Sequence, residues 1–274
     1  MKLRAFIPFV TVILFGCTAS RSGAPPLSPD AGRAISASAE KPRPHLGAET
    51  HVPSSSAETP LSSKWHIVIV SKTAISVDAG PPIVTLPVGE LRDGLYIAPL
   101  GDVLRAMDHG HDLAFAFEPS TSYELVTQTL YTAGMTGMTA FHLVVRRNGA
   151  ATEFVSHPSP LVTVTDAPSS LRLVVSLASD GGISMRVRGV YVGPGCALPP
   201  PKGAELPPKG TFDRDGLAAC AAKLRARYPE AEERVVIGAA PSVIWQDVVR
   251  MADALRASAD GTPLFPDVEW GAAR

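Results

Sequence analysis

Leu113–Tyr131, LAFAFEPSTSYELVTQTLY, and Val235–Ala252, VVIGAAPSVIWQDVVRMA, carry one pattern written twice. In each, an apolar run enters a Pro-Ser turn, at Pro119-Ser120 and Pro241-Ser242, and an aromatic ring follows at Tyr123 or Trp245. Apolar residues then recur at helical spacing, through Val126, Leu130 and Tyr131 in the first copy and Val248, Val249 and Ala252 in the second. Each copy reads as a short buried strand, a turn held by proline and an amphipathic helix. The two prolines lie 122 residues apart. An internal repeat of so long a period predicts two copies of one small module.

Around the first copy, His66–Val70 and Ala74–Val77 read as paired strands, with more extended chain near Ile83–Leu86. Pro99–His109 has helical spacing, with proline suited to the first turn. Thr121 and Glu124 offer a capping box, Gly134 a helix stop, and Phe141–Val145 a closing strand ending near Arg146-Arg147. Around the second copy, Leu171–Leu177 and Ile183–Val192 form a hairpin across Ser179-Asp-Gly-Gly182. A proline-rich loop leads to a helix over Phe212–Tyr228, whose start Asp213 and Asp215 can cap. Ser242 can cap the last helix, which runs to about Arg256, and Phe265–Trp270 reads as a last strand. The expected fold is therefore α+β: two tandem modules, 64–149 and 171–274, each a mixed β-sheet with two α-helices on one face. Residues 150–170 form the connection, with one candidate strand at Leu161–Thr165.

Before the modules, a basic start and a 12-residue apolar stretch, Ala5–Gly16, lead to Cys17. That is too short to span a bilayer, which takes about 20 residues, and reads as a secretory signal over 1–16. Leu14-Phe15-Gly16-Cys17 resembles a bacterial lipobox, which implies lipidation of Cys17. The following Thr18 resembles lipoproteins sent to the outer membrane, with the inner membrane as the other destination. Residues 17–63 are rich in Pro, Ser, Ala and Gly and predict a disordered tether, with a coil reach of roughly 40 Å. Extracytoplasmic placement gives Cys196 and Cys220 an oxidising environment. A disulfide is expected there, with two free buried thiols as the alternative.

The two modules resemble the periplasmic domain of the ExbD/TolR family of the Ton and Tol energy-transducing systems. In the first copy the resemblance is carried by Phe115-Ala-Phe117, Tyr123, Val126, Ala133-Gly134 and Phe141–Val145. In the second it is carried by Val235–Ile237, Trp245, Val248-Val249 and Met251–Leu255. The family's acidic residue after the third strand has a counterpart in Glu118, whereas the second copy has Ala239-Ala240 there. Ion-coupled members carry an amino-terminal membrane helix with an embedded aspartate. This chain has the lipobox in that place, so no residue inherits the proton-carrying role. The resemblance implies recognition of partner peptides or peptidoglycan.

A net charge of −1, from 25 basic and 26 acidic residues, excludes the basic footprint of a nucleic-acid binder. There is no Gly-x-Ser-x-Gly elbow, His-Glu-x-x-His, P-loop or dinucleotide fingerprint. His109 and His111 lie in a polar stretch without a nearby cysteine and do not read as a metal pair. No catalytic, cofactor or metal residue is assigned. Tyr123 and Trp245 are core anchors or, if exposed in a groove, partner contacts. Asp247 and Asp253 fall off the apolar face of their helix and are expected in solvent. The expectation is a non-enzymatic, lipid-anchored binding or accessory protein of an envelope transport or energy-transduction system, able to self-associate through sheet edges. The alternatives are an envelope hydrolase with a site assembled from distant residues and a structural lipoprotein of a motility or transport machine.

Overall fold

Leu113 to Phe117 is buried at every position, which a strand achieves only with neighbours on its edges and a layer on each face. The structure, a computed structural model, supplies both. It describes residues 46, 50–62, 65–89, 91–107, 113–138, 140–157, 173–187, 190–198, 213–229, 234–258 and 260–272. The first module contains β1 (Thr59–Pro60), β2 (His66–Val70), β3 (Ala74–Val77), β4 (Val84–Thr85), α1 (Ala98–Ala106), β5 (Leu113–Phe117), α2 (Tyr123–Gly134), β6 (Phe141–Arg147) and β7 (Ala150–His157). The second contains β8 (Leu173–Leu177), β9 (Ile183–Val187), β10 (Val190–Tyr191), a 3-10 turn at Pro194–Cys196, α3 (Arg214–Arg227), β11 (Arg234–Ala239), α4 (Trp245–Arg256) and β12 (Asp267–Ala272). In both modules the middle strand runs parallel to its two neighbours: β5 between β2 and β6, and β11 between β8 and β12. β2 and β8 also each form an antiparallel hairpin, with β3 and β9. The chain is thus α+β in two sheet-containing modules of like topology, with seven strands in the first and five in the second.

The stretch expected to be connection begins as a strand. β7 folds back on β6 through Asn148-Gly149, both at positive φ (49° and 86°), the conformation that suits a tight hairpin. Its other edge pairs with β12 through Ser156–Val268 and His157–Glu269. The first module therefore runs to residue 157 rather than 149, and β7 joins the two sheets into one path of eleven strands, with β1 paired to β7 beside it. The candidate strand at Leu161–Thr165 lies outside the described residues. The path ends at β4 and β10, two residues each, and edges that short are poor templates for further strands.

The helices cover one face. Val68 and Val70, Leu113, Phe115 and Phe117, and Phe141, Leu143 and Val145 point to that side. There they join Leu100, Leu104, Val126, Leu130 and the second module's Val235, Ile237, Val248 and Leu255 in a single core. α1 starts with Pro99 in its first turn, where a missing N–H costs nothing. It approaches Tyr96 so closely that a Cβ on Gly101 would overlap the phenol ring. α3 is capped as expected: the Asp213 carboxylate accepts from Gly216 N at 2.7 Å.

The opposite face of the first module is also apolar, with Ile67, Ala114, Ala116 and Val144, and here the sequence reading needs correction. Residues 50–62, assigned to the tether, are ordered: Val52 is buried on this face beside Leu46, Leu61 and Trp65. β6 leaves β5 after the Leu143–Phe115 pair, and the segment takes the vacated edge. Arg146 N donates to Pro53 O at 2.8 Å, and Ser55 N donates to Arg146 O at 3.0 Å. β1 then pairs with Thr152 and Glu153 of β7. The same segment reaches α4. Ser54 and the Gln246 amide exchange two hydrogen bonds, at 3.0 and 3.1 Å. The Asp253 carboxylate accepts from Ser55 Oγ at 2.7 Å, Ser56 Oγ at 3.0 Å and Ser56 N at 3.1 Å. Asp253 is therefore only 9% exposed, not solvated, because the strap brings it partners. Its charge also offsets the burial that pulls the Arg256 guanidinium below its ordinary range. Asp247, by contrast, stays half-exposed beside Arg250.

Asp253→Ala should destabilise the chain by about 2–3 kcal/mol, the scale for removing a charged acceptor from buried donors. Asp247→Ala, one turn and a half earlier on the same helix, should change stability by less than about 0.5 kcal/mol. Denaturant unfolding of both variants checks this, and amide exchange should show loss of protection at Ser56 in the first variant alone.

Candidate functional site

The first N–H groups of a helix have no acceptor within it and must find one elsewhere. For α2 the cap is Ser122, which accepts from Leu125 N at 3.3 Å, and not the expected Thr121 box. For α4 the residue before the helix is Ile244, which has no capping side chain, and Ser242 plays no such part. The acceptors come instead from the other copy of the repeat. Tyr123 N donates to Val243 O at 2.7 Å and Glu124 N to Pro241 O at 3.1 Å. Reciprocally, Trp245 N donates to Thr121 O at 2.8 Å and Gln246 N to Pro119 O at 3.0 Å. The four bonds are related by exchange of the two copies. The Pro-Ser-x-x-aromatic segments are thus a pseudo-two-fold seam between the modules.

Both aromatic rings cross that seam. The Tyr123 hydroxyl, on the first module's helix, faces the Gly271 carbonyl at 2.6 Å and the Ile237 carbonyl at 3.0 Å, both in the second module. Burial pushes its phenol far above the ordinary tyrosine range, so it remains a proton donor. Trp245, on the second module's helix, packs edge-on to Phe117 of the first, with centroids 5.5 Å apart, and to Trp270 at 5.1 Å. Tyr123 is 1% exposed and Trp245 0%. They are core anchors, and no face of either ring is open to stack on a ligand.

What the seam leaves open is a pair of clefts, one beside each helix start. In the first module a space of about 520 Å³ lies between the β2–β3 turn and α2, lined by Ser71, Lys72, Thr121, Glu124 and Gln128 with Leu86 and Val88. In the second, about 430 Å³ lies between the β8–β9 turn, α3 and α4. Its walls include Leu177, Ile183, Leu217, Val243 and Met251, and its charged groups are Arg214, Arg250 and Asp247. The copies align position for position: Ser122 corresponds to Ile244, Leu125 to Asp247 and Gln128 to Arg250. Ile244 is 41% exposed. By carrying isoleucine where the first copy has its capping serine, α4 forgoes a contribution of about 1 kcal/mol. Reading each repeat alone misses these residues; placing the two copies side by side exposes them.

Cys196 and Cys220 are joined, S–S 2.04 Å, fastening the turn after β10 to α3. Cys17, His109 and His111 lie outside the described residues. Among those described, no group of three or more His, Cys, Asp or Glu side chains is placed to hold a metal. No helix among them is long and apolar enough to cross a membrane. No protein-family model matches the chain, and no curated protein matches it.

Tyr123→Phe removes the buried hydroxyl that faces the Ile237 and Gly271 carbonyls and should cost about 1–2 kcal/mol while keeping the fold; thermal unfolding with near-ultraviolet dichroism checks both points. Reduction of the disulfide, or Cys220→Ser, should cost about 3 kcal/mol on the loop-entropy scale, read from the denaturation midpoint with and without reductant.

Proposed function

We propose that this chain is a non-enzymatic, lipid-anchored protein of the bacterial cell envelope. In this reading its two ExbD/TolR-like modules act as one binding or accessory body of a biopolymer-transport or energy-transduction system. The observation that carries the reading is the seam. The most distinctive residues of the repeat, its prolines and aromatic rings, are consumed in locking the modules together, and two clefts remain beside the locked helix starts. A rigid body with open clefts and short sheet edges suits recognition at the clefts more than strand addition. The Cys196–Cys220 disulfide supports an oxidising, extracytoplasmic compartment. Cys17 provides the anchor in this reading, and the residues between it and the strap provide the reach toward a second envelope layer.

The full chain should fractionate with membranes and Cys17→Ala with the soluble extract. Affinity capture from envelope extracts should retain a specific partner, and co-sedimentation with purified peptidoglycan tests the other ligand class. A Cys17→Ala protein that stays with membranes overturns the lipid anchor. Failure to retain anything in both binding assays overturns the recognition role.

A further inference from the structure

We infer that the cleft of the second module binds the carboxyl-terminal end of a protein chain whose last residues include a large apolar side chain. The inference rests on the reading of this protein as a binding body and names the ligand of one of its two clefts. Three observations lead to it. The walls are apolar, built from Leu177, Ile183, Leu217, Val243 and Met251. At the rim stands Ile244, a side chain 41% exposed at the position where the other copy has Ser122. An isoleucine there adds nothing to the helix start, which takes its acceptors from the opposite module, but it extends the apolar wall outward.

The third observation is charge. Arg214, at the first residue of α3, lines the cleft and is exposed. Arg250 lines it as well, held at 3.2 Å from Asp247 on the preceding turn. Within the lining, two guanidinium groups stand against the single carboxylate of Asp247. Just outside it, Asp180 and Asp213 have an oxygen engaged by Gly182 N and Gly216 N, and Asp215 follows Arg214 on α3, so it is the lining alone that offers a carboxylate an arginine. Arginine matches a carboxylate with a planar, two-pronged set of donors. The corresponding cleft of the first module has Gln128 in place of Arg250, and its lining sets the single cation Lys72 against Glu124, so it offers a carboxylate no arginine.

Volume limits the occupant. About 430 Å³ lies near the lower end of ligand-sized cavities, roughly 300–1,000 Å³, and admits a few residues rather than a folded surface. A free chain end meets all three requirements: it is narrow, it carries an apolar side chain for the wall, and it ends in a carboxylate for the arginines. A short cell-wall peptide also ends in a carboxylate, but its small and charged side chains leave the apolar wall unfilled.

The test uses the full chain in detergent and calorimetric titration with acetylated tetrapeptides ending in Leu, Ile, Phe or Met. Each is compared with its carboxyl-terminal amide and with a free stem peptide from peptidoglycan. At least one acid should bind with a dissociation constant below millimolar, and its amide at least tenfold more weakly. Arg214→Ala should weaken the acid at least tenfold. Ile244→Ser, which restores the first copy's residue, should weaken it with no loss in melting temperature. Equal binding of acid and amide, equal binding of the stem peptide, indifference to both substitutions, or no binding across the panel overturns the inference. If envelope capture still succeeds with the Arg214→Ala, Ile244→Ser double variant, this site falls while the broader recognition role stands. If the unaltered protein captures nothing, the broader role falls.

Discussion

Everything in this fold leans on the exchange of four backbone hydrogen bonds between two helix beginnings. A helix start is a cluster of donors without acceptors, and each copy of the repeat meets the other's need with the carbonyls of its own proline turn. That exchange sets the relative position of the modules before any side chain is considered. Proline suits the second position of these turns, where its fixed φ is already right; each turn is closed behind it, by Thr121 N to Glu118 O and by Val243 N to Ala240 O. The aromatic residue follows from the same geometry. It is the first helical position beyond the seam, so its ring is carried across into the neighbouring module, where Tyr123 meets the β11 and β12 carbonyls and Trp245 meets Phe117.

Two further devices close what the seam begins. β7 fills the gap between β6 and β12, pairing with both, so the sheet passes from one module to the other without exposing an inner edge. The strap over residues 50–62 covers the apolar back of the first module and reaches round to α4. The corresponding side of the second module is more polar: Ser176, Ser184 and Arg186 alternate there with buried neighbours, and Glu269 pairs with Arg234 at 2.8 Å.

Much of this was legible in the residues, for identifiable reasons. The strands and helices of both modules show periodicity strong enough to be read alone, and the Ser179–Gly182 turn and the Asp213 cap declared themselves. Asn148-Gly149 is as strong a hairpin signal as any in the chain, yet the prolines that follow make the stretch read as a connection, and β7 lies hidden in it. The strap is not legible in composition because Ser54, Ser55 and Ser56 look like linker. They gain order from Gln246 and Asp253, nearly 200 residues away, and composition does not register partners at such a distance. Ser242 and Thr121 looked like caps because local rules assume a local acceptor. The acceptors lie in the other module, and the cleft residues Ile244 and Arg250 stand out only when the copies are superposed in sequence.

The Tyr123–Gly271 hydrogen bond joins residues 148 positions apart, and that separation governs how the chain comes into being. A polypeptide made or exported amino terminus first presents module one long before β11 and β12 exist. Until they arrive, the Tyr123 hydroxyl lacks its acceptors, and Ser156 and His157 of β7 lack their partners on β12. Contacts this remote are slow to form, because their loop must close first. The first half therefore lacks these partners until the second half is complete, and what holds it in its final form is written at the far end of the chain.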